Sequence, residues 1–358
     1  MTKIAVVLPT LDDSNALRRS LQSISQQTLL PDEVIVVANG DLANGVGATV
    51  KTWNELAPTP KVLEIGNPPN VARALNAGIQ TTMATYVVRM DAGDWSFPQR
   101  IESQARIIEN ERLDLVASDV SAITPEGVRV PKFRGRLPVD NGGISWHLLI
   151  QNCIAHPTVI VRRQSIIDAG LYDEDALLED YDLWLRVIPQ WKMRLLNDPL
   201  LVYSYQRQSR TREVKLEGSA QLPERLIQAW NAVAGISLSE TTASRLLAPG
   251  ARADDTRQSL DHALQAMAAL NELERRAVTE LSPASYLGLR QRSAMSRVEL
   301  LAAVALVNPS HAIRLATTLS APNMAKMVRT SWKVTRFMLE RRLAEYRQQR
   351  APDPSKRG

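Results

Sequence analysis

From the N-terminus, short apolar runs alternate with stretches in which apolar side chains return every three or four positions. Ile4 to Leu8, Glu33 to Ala38, Val62 to Ile65 and Tyr86 to Met90 read as strands, and Leu113 to Val120, Thr158 to Arg162 and Leu200 to Tyr205 as three more. Between them, Ala16 to Gln27 carries Leu17, Leu21 and Ile24 at helical spacing, and Val71 to Met83 carries Leu75 and Ile79 on one face. A further helix is predicted from Pro98 to Glu111, with proline at its start. Strands alternating with helices predict βαβ units, and so an α/β fold with a mainly parallel sheet flanked by helices. After Arg207 the strand signal ends, and a polar break from Arg210 to Gly218 precedes long helical stretches. The division expected is a sheet domain over 1–210 and an α-helical C-terminal region over 211–358, with a disordered tail from Arg350.

Charge changes the picture of the second region. The chain of 358 residues has a net charge of +5, yet Pro283 to Gly358 holds fourteen Lys and Arg against four Asp and Glu, so the rest is acidic. Over 324–346, Val328, Trp332, Leu339, Leu343 and Tyr346 form an apolar stripe beside a ridge of Lys326, Arg329, Lys333 and Arg336. Such a helix suits an anionic membrane surface, or packing in a homo-oligomer. Nucleic acid is not an expected partner, since no RRM, helix-turn-helix or zinc-finger pattern occurs. Cys153 is the single cysteine, which rules out an internal disulfide and favours a reducing compartment. Ile4 to Leu8 is too short for a signal peptide, and Val298 to Val307 is too short for a span of ~20 apolar residues. A cytoplasmic protein, peripheral on the inner face of the cell membrane, is the expectation.

The candidate chemistry is acidic. The strand Tyr86 to Met90 runs into Asp91-Ala-Gly-Asp94, which places two carboxylates at the carboxyl edge of the sheet, where open α/β folds bind ligands. Mg²⁺ or Mn²⁺ held there would neutralise a diphosphate, whereas a plain strand-to-loop turn needs the same Asp and Gly. Glu179-Asp180 is a second pair, which by itself reads as an acidic helix start backed by Leu183, Trp184 and Val187. The first strand leads into Pro9-Thr10-Leu11, not the glycines of a dinucleotide fingerprint, and GxxxxGK[ST], HExxH and GxSxG are all missing.

Six segments occur in order: Val6-Val-Leu-Pro-Thr10, Val34 to Gly40, Asn70 to Gly78, Arg89-Met-Asp-Ala-Gly-Asp94 with Pro98-Gln-Arg100, His156-Pro-Thr158, and Glu179 to Arg186. Together they resemble the family 2 glycosyltransferases of GT-A fold, of the bacterial surface-polysaccharide type, over residues 3–207. The resemblance implies inverting transfer of a sugar from a nucleoside-diphosphate donor of UDP, dTDP or GDP type to a saccharide or lipid-linked acceptor. It assigns Asp180 as general base and places Pro9, Thr10, Leu11, Asn39, Arg73, Asp91 and Ala92 at the nucleotide-sugar. His156, Glu179 and Trp184 fall on the acceptor side, Trp184 being readable as a sugar platform or a core residue. Arg207 would face the diphosphate, and Asp91 and Asp94 would hold a divalent cation. Asn39 stands where the family commonly has an aspartate, Gly93 where it has a metal-binding aspartate, and Gln206 near a common histidine. These departures leave open a non-catalytic nucleotide-sugar-binding or assembly protein with a degenerate metal site.

Overall fold

The computed structural model describes residues 2–12, 15–40, 45–53, 55–123, 129–130, 138–204, 218–249 and 256–305. Strands β1 (Ile4–Thr10), β2 (Glu33–Asn39), β3 (Lys61–Ile65) and β4 (Tyr86–Arg89) form one parallel block in the order β3-β2-β1-β4. Every residue of β1 and β4 is buried, as the unbroken apolar runs require. Helices α1 (Asn15–Ser25), α2 (Val46–Lys51) and α3 (Val71–Thr81) connect these strands. α3 lies so close on β1 that a Cβ at Gly78 would stand 2.5 Å from Val7 Cγ1, so no larger residue fits there.

Beyond β4 the sheet becomes mixed. It continues β8 (Ile160–Arg162), β6 (Leu115–Ile123), β9 (Met193–Ser204) and β5 (Trp95–Ser96), with β7 (Arg129–Val130) pairing on β6. β8 is antiparallel to both β4 and β6, while β9 runs parallel to β6. The expected α/β sheet with flanking helices is therefore present, its parallel character concentrated in the first four strands. β9 begins seven residues before the predicted Leu200, because Met193 to Leu196 pair with Leu115 to Ser118. The register slips around Asp119, opposite Pro199, a bulge that accommodates a residue with no N–H to donate.

α4 (Arg100–Asn110) starts two residues after Pro98, which lies in the turn before it. The predicted strand from Thr158 is shortened because His156–Thr158 form a 3-10 turn first. Helices α5 (Asn141–Leu148), α6 (Arg163–Asp168) and α7 (Glu179–Val187) cover this half. Asp140 caps α5 through the Gly143 N–H at 2.7 Å.

The C-terminal helices are α8 (Pro223–Ala234), α9 (Glu240–Leu247), α10 (Arg257–Glu280) and α11 (Pro283–Ala305). They share one hydrophobic core with the sheet half: Trp184, Tyr181 and Ile144 pack in the same cluster as Leu226, Trp230, Leu270 and Leu300. Buried Asp182 on α7 is bonded by Arg186 at 2.8 Å and by Arg225 of α8 at 2.9 Å. The expected boundary at 210 and the amphipathic stretch 324–346 lie outside the described residues. Among those described, no helix is long and apolar enough to cross a membrane.

Candidate active site

The carboxyl ends of the parallel strands bring the predicted nucleotide residues to one edge. Pro9 and Thr10 end β1 as buried residues, the Thr10 hydroxyl donating to the Asp12 carbonyl at 2.7 Å. Leu11 follows as an apolar side chain 58% exposed at the same edge. Asn39 ends β2 and is buried, and its Oδ1 accepts the Asn70 N–H at 3.0 Å. Asn70 caps α3 by accepting the Arg73 N–H at 2.9 Å. The Arg73 guanidinium bends back, Nη2 donating to the Gly66 carbonyl at 2.8 Å and to the Pro68 carbonyl. In this state Arg73 braces the loop before α3, and its reach toward donor phosphates is occupied by those carbonyls.

The acidic turn after β4 separates its two carboxylates. Ser20 of α1 holds the turn, accepting the Gly93 N–H at 2.9 Å and donating to the Asp94 carbonyl at 2.7 Å. Gly93 has φ of 101°, a conformation that L side chains rarely adopt, so the local backbone accounts for glycine there. Asp91 keeps 36% of its side chain exposed, with partly buried Ala92 beside it. Asp94, expected as the second metal ligand, is instead buried at 3% exposure, where its charge steadies the Arg100 guanidinium. Arg100 is fully buried, and desolvation pulls its pKa down to about 9 despite Asp94. Among the described residues, no three His, Cys, Asp or Glu side chains form a metal site. Asp91 is the carboxylate of this turn that would hold a Mg²⁺ or Mn²⁺ ion, and its Oδ2 accepts from Arg89 Nη1 at 2.6 Å.

Across the edge stands the start of α7. Asp180 Oδ2 accepts from Asn152 Nδ2 at 2.9 Å, and Oδ1 accepts the Tyr181 N–H at 2.7 Å. These bonds fix the carboxylate, while burial raises its pKa above the ordinary aspartate value. Burial also raises that of Glu179, with the Arg89 guanidinium opposing the rise. The helix start is acidic as predicted, since Glu179, Asp180 and Asp182 all lie in the first turn, where the macrodipole favours negative charge.

His156 is buried between these groups. Its Nε2 is 2.9 Å from the Tyr172 hydroxyl, its Nδ1 is 3.6 Å from Glu179 Oε1, and its ring meets Trp184 edge-on. Burial, then the nearby Arg89 charge, depresses its pKa to about 3, so the imidazole is neutral and the approach to Glu179 is not an ion pair. Trp184, read as platform or core residue, is fully buried and packs against Trp191; no sugar ring can stack on it here. Arg207 lies outside the described residues.

Four residues of this region had no role assigned from the sequence: Arg89, Arg100, Asn152 and Tyr172. Arg89 carried the clearest signal, a charge closing the apolar strand Tyr86-Val-Val-Arg89. Asn152 and Tyr172 had none, because only folding brings them to Asp180 and His156.

The profile described as Glycosyl transferase family 2 matches residues 5–169. The amylovoran biosynthesis glycosyltransferase AmsE of Erwinia amylovora is 29% identical over 188 residues, covering 52% of this chain and 70% of its own. The O-antigen biosynthesis glycosyltransferase WbnJ of Escherichia coli is 31% identical over 195 residues, covering 53% of this chain and 74% of its own. Among solved structures, S. aureus TarS 1-349 in complex with UDP-GlcNAc superposes with a TM-score of 0.51 at 16% identity, covering 84% of this chain and 90% of that one. That likeness is one of fold, the GT-A type.

Proposed function

The chain belongs to glycosyl transferase family 2, and on that premise we propose that it is an inverting glycosyltransferase of cell-surface polysaccharide or glycolipid synthesis. It takes a sugar from a nucleoside-diphosphate donor and passes it to a saccharide or lipid-linked acceptor. The observation that carries this reading is Asp180, fixed by Asn152 and the Tyr181 N–H at the start of α7 and raised in pKa by burial. A carboxylate so placed accepts the acceptor's hydroxyl proton as its oxygen attacks the anomeric carbon and the bond to the diphosphate breaks. Leu11 covers the base, and Asp91 faces the diphosphate. A divalent cation held at Asp91 would neutralise the leaving diphosphate. Residues 1–210 carry this chemistry, and the helical region from 211 buttresses α7 through Arg225. The relatives' names support a surface-polysaccharide acceptor, and the solved complex makes UDP-sugars the first donors to test.

The test is a transfer assay with a panel of UDP-, dTDP- and GDP-sugars, with and without Mn²⁺, run on the protein and on Asp180→Asn. Transfer by the wild type, lost in the variant while donor binding persists, is the expected outcome. Equal turnover by the variant would remove Asp180 as base. Donor binding without transfer or donor hydrolysis would favour the non-catalytic alternative, which the buried Asp94 keeps in view.

A further inference from the structure

A line of buried polar side chains crosses from α3 to α7, and the transfer chemistry gives it no task. Asn76 of α3 clamps Tyr172 by both backbone groups, Nδ2 donating to its carbonyl at 2.9 Å and Oδ1 accepting its N–H at 3.0 Å. The residue before it, Leu171, has φ of 64°, a left-handed conformation that is costly for an L side chain and persists only where neighbours hold it. Here α7 holds it, Arg186 Nη2 donating to the Leu171 carbonyl at 2.7 Å. The loop is thus fixed from two helices, and Tyr172 with it. Its hydroxyl stands 2.9 Å from His156 Nε2, and His156 Nδ1 stands 3.6 Å from Glu179 Oε1. Asn76, Tyr172 and His156 are all buried, whereas the Glu179 side chain keeps 20% of its surface exposed.

The hydrogen positions in this line follow from its ends. A carboxylate can only accept, and a neutral imidazole carries one N–H. On Nε2 that proton would leave the Nδ1 lone pair facing the Glu179 carboxylate, two acceptors with nothing between them. On Nδ1 it faces the carboxylate, and Nε2 accepts from the Tyr172 hydroxyl, so every group is served. The line then runs one way, Tyr172 O–H to Nε2 and Nδ1–H toward Oε1. At 3.6 Å the last step is too long for a hydrogen bond, and turning the part-exposed Glu179 side chain about its own torsions closes it. Catalytic hydrogen bonds are often long until substrate enters.

From this geometry we infer that Tyr172 and His156 are positioning residues, whose aligned donors turn Glu179 Oε1 inward and leave Oε2 to accept from a hydroxyl of a saccharide acceptor. Glu179 so held orients the acceptor sugar, and Asp180 beside it takes the proton. The role deepens the transfer reading and rests on it for its kinetic consequence, while the place of the proton on His156 does not depend on turnover.

Side-chain ¹⁵N NMR of the full-length protein locates the His156 proton, and His156→Asn, whose spectrum lacks that signal, assigns it among the four histidines. Nδ1 protonated and Nε2 bare is the expected result at neutral pH; a proton on Nε2 overturns the proposal. The kinetic arm varies octyl glucoside and octyl galactoside as saccharide acceptors, with the sugar nucleotide selected by the donor panel, in Tyr172→Phe and in His156→Leu, His156→Asn and His156→Gln. His156→Leu should lower the acceptor's kcat/KM roughly ten- to a hundredfold, the effect of losing a hydrogen bond to a charged group, with the donor's Kd unchanged. An asparagine amide reaches the place of Nδ1 and still donates to Glu179, whereas a glutamine amide reaches the place of Nε2. His156→Asn should therefore recover most of the loss and His156→Gln little. A residue that only fills space would give the opposite order, because glutamine is nearer to histidine in volume, and that order overturns the proposal. If the His156 variants fail to fold, Tyr172→Phe decides, since it removes one hydroxyl: a few-fold fall in the acceptor's kcat/KM supports the line and wild-type kinetics overturn it. An Nδ1–H tautomer in a protein that transfers no sugar would overturn the transfer reading and leave the line standing, whereas transfer with an Nε2–H tautomer would do the reverse.

Discussion

Two acidic pairs mark the proposed site, and the fold treats them differently. At the end of β4, Asp91 and Asp94 are three residues apart with Gly93 between them at positive φ, and the turn sends one carboxylate outward and buries the other with Arg100. At the start of α7, Glu179 and Asp180 are adjacent and both stay partly exposed. The difference teaches that an acidic spacing specifies chemistry only through the backbone that carries it. A reversing turn divides its acids between interior and solvent, while a helix N-terminus gathers them at its positive end.

Five experiments break or sharpen this comparison. Asp180→Asn should lower kcat by about 10²–10⁴-fold, the range of a positioned base, with the donor's dissociation constant unchanged in binding measurements. Asp94→Ala should act on stability, since it strips a buried arginine of its counter-charge; a loss of about 3–5 kcal/mol is expected in urea unfolding. Asp91→Ala should show the reverse profile, weakening Mn²⁺-dependent nucleotide binding more than it lowers the unfolding midpoint. If Asp91 and Asp94 variants behave alike in both assays, the division of the turn is wrong.

The fourth experiment uses pH. His156 has a folded pKa of about 3 against an unfolded value near 6.5, so between these limits the unfolded chain binds more protons. Its contribution to stability is therefore complete above pH ~6.5 and is lost as pH falls, at up to ~1.4 kcal/mol per unit. Glu179 and Asp180, with raised pKa values, contribute with the opposite sign in the acidic range, so the measured quantity is the difference between wild type and His156→Gln. That difference should shrink on acidification from pH 7 to 4.5. The smallest effect is expected from Leu11→Ala, a few-fold weaker nucleotide binding worth about 1 kcal/mol, with unfolding unchanged because the side chain is exposed.

Much of the sheet half was legible because its signals are local. The apolar runs of β1, β2 and β4 are buried strands, Leu17, Leu21 and Ile24 line the inner face of α1, and Leu75 and Ile79 do so for α3. The two-residue strands β5 and β7 left no pattern, since pairing partners rather than their own residues make them strands. α5, with Trp146, His147 and Leu148 all buried, lacks the one-sided periodicity by which a surface helix is recognised. The division into a sheet part and a helical part described the order of elements, but Trp230 and Leu226 complete the core around Trp184, so the packing is continuous across it.

For the site, the sequence by itself determined the identities and order of the acidic residues and placed Asp91 at the edge of the sheet. It also offered a helix start at Glu179 as one reading of the second acidic pair, because helix starts follow from neighbouring residues. Tertiary structure decided which of those groups faces solvent. It buried Asp94 with Arg100 and Trp184 with His156, and anchored Asp180 through Asn152. Each of these depends on contacts between residues far apart in the chain, and desolvation and charge pairing act only once the fold has brought them together.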